Sequence, residues 1–198
     1  ADAEGWLVLL IHLVGSGGGG HSSPRMADFR VDPHQLDSLP ATISRAMRAN
    51  VLLTSHQSFG SEIIGSGIVL KIADGRAQIL TNRHVVDPDY DSESSTSSDP
   101  ASLKSVAVTL IDQSTSLGDV VWLAPGAVDL ALISAPCVST QARAAAWPAT
   151  RPSQIGDAVF AIGNPHAWGW THTQGSVSQF RYLSTHGGDV RVIQSSAP

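Results

Sequence analysis

Residues 65–86 read GSGIVLKIADGRAQILTNRHVV, two apolar, β-branched runs on either side of Asp74-Gly75. An Asp-Gly pair between alternating apolar residues predicts a hairpin, with the second strand ending in Thr81-Asn82-Arg83-His84-Val85-Val86. A lone histidine at a strand end is ordinarily structural or simply exposed, so His84 carries no chemistry without its surroundings.

Outward from that hairpin the same period-2 texture continues. VLLTSH (51–56), EIIGSGIVLKI (62–72), AQILTN (77–82), SVAVTLI (105–111), DVVWLA (119–124) and DLALISA (129–135) are short β-rich runs separated by Gly, Pro, Asp and Ser clusters. Strands at this spacing with no helical interval predict an antiparallel barrel or sandwich. PCVSTQARAAAWPATRPSQ (136–154) is Ala- and Pro-rich and suits a connection between subdomains. Strands resume with AVFAIG (158–163), TQGSVSQF (173–180) and DVRVIQ (189–194), so a second barrel begins.

Upstream, LPATISRAMRAN (39–50) puts Ile43, Ala46 and Met47 on one face at three- and four-residue spacing. A short helix is expected there, with Pro40 near its start and Asn50 at its stop. WLVLLIHLV (6–14) is nearly all apolar and is followed by GSGGGG (15–20). It is too short to span a bilayer, which needs roughly 20 residues. A signal-peptide core is the alternative, but the preceding ADAEG is acidic. A truncated leader followed by a flexible tether is the preferred expectation.

Composition bounds the partners. Of 17 Asp and Glu residues, five (Asp87, Asp89, Asp91, Glu93, Asp99) fall in DPDYDSESSTSSDP (87–100), and the other 12 balance the 12 Lys and Arg. The net charge of -5 is therefore a property of one loop, and no basic face points to nucleic acid. That loop reads as a solvated, disordered insertion, with a regulatory element or a selector against acidic substrates as the sharper alternative. Cys137 is the sole cysteine, which excludes a disulfide-stapled scaffold but leaves the compartment open. None of the eight histidines has metal-site spacing; His166 and His172 come nearest, and neither a metal nor an organic cofactor is expected.

The decisive motifs resemble those of trypsin-like serine proteases of the HtrA (Deg) type. GSGIVL…ILTNRHVV resembles the segment that presents the general-base histidine, and His84 stands at that position. GAVDLALISA (126–135) resembles the strand whose leading aspartate orients the base, and Asp129 matches, 45 residues after His84. IGDAVFAIGNPHAWGWTHTQGSVSQFR (155–181) resembles the opening of the second barrel, and VIQSSAP (192–198) the strand that runs into the nucleophile loop. The resemblance covers about residues 50–198.

It implies an all-β, chymotrypsin-like double antiparallel β-barrel, with the first barrel complete, the second incomplete and a short N-terminal helix before them. The expected organisation is a leader or tether over 1–20, a linker and helix over 21–49, the first barrel over 50–148 and the start of the second over 149–198. It implies a serine endopeptidase whose nucleophile lies roughly six residues past Pro198, in a glycine-rich turn that forms the oxyanion hole. Ser195 and Ser196 lack flanking glycines and are not expected to be that residue. The expected sequence is thus the front part of a longer, extracytoplasmic or periplasmic protein, tethered through its N-terminal segment. Its substrates would be polypeptides, unfolded proteins among them, with an oligomer left open. The rival is a non-catalytic protease-like module that binds peptides or partners on the same fold.

Overall fold

The computed structural model describes residues 31–56, 62–91, 98–126, 128–147, 152–164, 169–185 and 188–197. The apolar run 6–14, the glycine run 15–20, much of the acidic loop and His166 lie outside the described residues.

Six strands close into an antiparallel barrel in the order β1-β2-β3-β6-β5-β4. They are β1 (Asn50–His56), β2 (Glu62–Ala73), β3 (Arg76–Thr81), β4 (Val106–Thr109), β5 (Thr115–Leu123) and β6 (Ala131–Pro136). Alternation explains the closure. Val51 and Leu53, Ala77 and Ile79, Val106 and Val108, and Ala131, Ile133 and Ala135 are each two residues apart and all buried in one core. Register shifts at Val69/Lys71 and Val120/Trp122 interrupt the ladders of β2 with β3 and of β5 with β6. Such bulges sharpen strand curvature, which a barrel of this size requires.

The first strand is buried on both faces. Its outward Leu52 joins Leu36, Ile111 and Trp170 in a second cluster, with Val31, Leu39 and Met47 packed against it. Two short helices, α1 (Pro33–Ser38) and α2 (Ala41–Ala49), supply that cover. Asp32 caps α1 by accepting the His34 N–H at 2.9 Å, and Pro33 takes the first helical position, where no backbone donor is needed. Pro40 sits at the N-cap of α2 and Asn50 at its C-cap, so α2 runs directly into β1.

A three-stranded sheet follows, β7 (Ala158–Gly163), β8 (Thr171–Thr185) and β9 (Gly188–Ser195), in sequential order. Among the described residues the fold is therefore all-β apart from short helices, with one closed barrel and one three-stranded sheet. The joint between barrel and sheet is polar and buried. Asn164, at the end of β7, donates through Nδ2 to Asn50 Oδ1 (2.9 Å) and the Val51 carbonyl (3.1 Å), and its Oδ1 accepts the Trp170 N–H (2.9 Å). Trp170 in turn donates its indole N–H to the Asn50 carbonyl at 3.0 Å. An amide with its donors and acceptor all satisfied is what burial at this depth demands.

Candidate active site

The third strand stops at Thr81, and Arg83–Val86 form a single helical turn, α3, instead of prolonging the strand. Valine-rich sequence favours an extended chain, so tertiary contacts override propensity here. The first amides of a helical turn have no partner within it. The His84 N–H finds one across the barrel rim, donating to Asp129 Oδ1 at 2.9 Å. Ser55 Oγ donates to the Val85 carbonyl at 2.5 Å, and Val85 and Val86 are buried.

Gly65 makes room for that turn. A Cβ built on it would lie 2.6 and 2.7 Å from the two methyls of Val85, closer than carbon atoms approach. The glycine of GSGIVL thus bears directly on the residue next to His84.

Asp129 lies just before β6, in the connection from β5, and its side chain is 12% exposed against 39% for His84. Its Oδ2 is 2.7 Å from His84 Nδ1. Asn82 Nδ2 donates to the same Oδ2 at 3.2 Å and to the Asp129 carbonyl at 3.1 Å. Burial alone would raise the Asp129 carboxyl. Hydrogen bonds from the His84 ring and backbone, the His84 charge and the Arg83 N–H outweigh it, and the carboxyl is held below its ordinary value.

The tautomer follows. An ionised carboxylate can only accept, so in the neutral ring His84 Nδ1 carries the proton and Nε2 keeps its lone pair. A half-exposed imidazole with a free Nε2 and a fixed ring can remove a proton from a hydroxyl and return it to a leaving group.

The structure therefore brings His84 and Asp129 together from 45 residues apart. Ser195 and Ser196 sit elsewhere, at the end of β9: Ser195 Oγ accepts the Ala197 N–H (2.9 Å) and Ser196 Oγ accepts the Ser176 N–H (2.9 Å). Gly175 lets this chain end lie against β8, since a Cβ there would meet the Ala197 backbone. The serine expected past Pro198 lies outside the described residues. His172 is on β8 with its ring 5.5 Å from that of Phe160, and among the described residues no group of three His, Cys, Asp or Glu could hold a metal. The sequence reading missed Asn82. Its only signal was position, since an Asn at a helix N-cap ordinarily caps its own helix, and this one turns to Asp129 instead.

The model of the trypsin-like peptidase domain matches residues 65–198. No curated protein matches the chain significantly. Among solved structures, the chain is similar to the HtrA-type protease AlgW, in a serine-to-alanine variant with a tripeptide. That likeness has 26% identity and a TM-score of 0.53, and it covers 70% of this chain and 39% of that one. The chain thus spans well under half the length of the protease it resembles.

Proposed function

The chain belongs to the trypsin-like peptidase family, and on that premise we propose that it is a serine endopeptidase of the HtrA type, hydrolysing peptide bonds by acyl transfer. The observation that carries the proposal is the 2.7 Å contact of Asp129 Oδ2 with His84 Nδ1, reinforced by the carboxylate's second bond to the His84 backbone.

In this mechanism a serine supplied from past Pro198 attacks the scissile carbonyl while His84 Nε2 takes its proton. Asp129 holds the ring in that orientation and stabilises the imidazolium as it forms. His84 then protonates the departing amine, and a water molecule, deprotonated by the same nitrogen, releases the acyl group. Peptides are the proposed substrates, in keeping with the tripeptide carried by the AlgW variant. Unfolded polypeptides and an extracytoplasmic site of action, with the N-terminal apolar run as tether, belong to the same proposal. Among the described residues no helix is long and apolar enough to cross a membrane.

Active-site labelling tests the assignment. In a protein that continues past Pro198, a fluorophosphonate should label one serine beyond that residue, and His84→Ala should suppress the labelling. Equal labelling in His84→Ala, or stoichiometric labelling of Ser195 or Ser196, would contradict it.

A further inference from the structure

Beside the dyad lies an ion pair that the mechanism above does not use. Arg83 Nε is 2.8 Å from Asp87 Oδ2, and the two side chains are 3% and 0% exposed. Burying two charges is costly, and a well-packed apolar pair of similar volume is often at least as stable. Stability alone therefore gives a weak reason for its presence.

Its connections are more specific. Arg83 and Asp87 bracket the helical turn that carries His84, at the i,i+4 spacing that lets such side chains meet. The Asp87 N–H closes the turn on the Arg83 carbonyl at 2.8 Å, and Asp87 Oδ1 accepts the Asp89 N–H at 3.1 Å. From the same guanidinium, Nη1 donates to the Ala124 carbonyl at 3.2 Å. Ala124 donates its own N–H to the Leu130 carbonyl at 2.9 Å, which closes the β5–β6 connection around Asp129. The Tyr90 ring lies 5.3 Å from the guanidinium carbon and covers it. One planar cation thus touches both segments that supply the dyad, and its fork geometry allows it to bond in two directions at once.

We propose that the Arg83–Asp87 pair is a positioning device, which sets the separation of the His84 turn from the Asp129 connection and so keeps His84 in its Nδ1–H tautomer. The inference rests on His84 and Asp129 working as a pair, but its test reads the ring directly and needs no turnover. Loss of peptidase activity and loss of positioning are therefore separate results.

The readout is the ¹⁵N chemical shifts of the neutral His84 ring, which report the ratio of Nδ1–H to Nε2–H forms. Arg83→Met combined with Asp87→Leu removes the charges while filling the space. In the folded double variant the ratio should fall by roughly tenfold, the scale set by weakening one hydrogen bond to a charged group. An unchanged ratio would overturn the proposal, because a purely structural pair would leave the ring untouched. Should the double variant fail to give dispersed amide signals, Arg83→Lys serves instead. Lysine keeps the charge but lacks the rigid planar fork that serves Asp87 and Ala124 from two separate nitrogens, so the ratio should shift in the same direction by less. No shift in Arg83→Lys would be equally fatal.

Discussion

Asp129 meets His84 twice, through Oδ2 at the ring Nδ1 (2.7 Å) and through Oδ1 at the backbone N–H (2.9 Å). The second bond fixes where the residue sits and the first fixes how its ring is turned. Each oxygen of one carboxylate thereby holds a different part of the same residue, and Asn82 Nδ2 steadies Oδ2 from the side. Asp129→Ala should cost about 1–3 kcal/mol of stability, the penalty for leaving buried polar groups without partners. Asp129→Asn should cost less, because one amide oxygen can still accept the backbone N–H. Urea unfolding of the two variants would order them; equal losses would mean that the backbone bond contributes nothing.

The lowered Asp129 carboxyl predicts a pH dependence of definite sign. A carboxyl whose folded value lies below its unfolded one stabilises the fold above the unfolded value, here the ordinary 3.8, and that contribution is lost as pH falls through the folded value. The stability gap between the native protein and Asp129→Asn should therefore shrink as pH falls below about 4. A gap that widens as pH falls through that range would contradict the sign.

Gly65→Ala should destabilise the protein by about 1–3 kcal/mol through forced overpacking. Its new methyl collides with the Val85 methyls, so adding Val85→Ala should recover part of the loss, a non-additive pair. Thermal melts of the two single variants and the double variant close the cycle. Strict additivity would show that the two residues do not meet.

Asn164→Ala should cost about 2–4 kcal/mol, since it strands the Trp170 N–H, the Asn50 side chain and the Val51 carbonyl in a buried joint. The loss should appear as faster amide exchange in β7 and at Trp170, with the barrel amides of Ile79 and Ile133 still protected. Uniform acceleration across both would mean that the joint is part of the barrel's own cooperative unit.

Much of the architecture was legible because strand period and turn chemistry agree. The runs read at 51–56, 62–72, 77–82 and 158–163 differ by at most one residue at either end from the observed strands. Others were read short: β5 begins at Thr115 and β8 continues to Thr185, and the apolar residues in those stretches, Leu117, Tyr182 and Leu183, are exposed and make no alternating pattern. The six-residue α1 is too brief for helical periodicity to show. The turn at Arg83–Val86 was hidden for another reason. Its residues prefer a strand, and the carboxylate that satisfies its first amides lies 45 positions away. Asn82 was silent on the same ground, as its partner is remote in sequence. Arg83 and Asp87 did carry a local sign, a cation four residues ahead of an anion, which is a helical spacing across the junction of a stretch read as strand end with one read as loop.

The central claim, that His84 acts as the general base with Asp129 as its orienter, is tested most directly by peptide hydrolysis. The measurement is kcat/KM for an unstructured polypeptide, on a protein that includes the chain past Pro198. His84→Ala and Asp129→Asn should each lower it by about four orders of magnitude, as loss of a dyad member does in enzymes of this chemistry, while peptide binding is largely kept. Turnover unchanged in either variant would contradict the account.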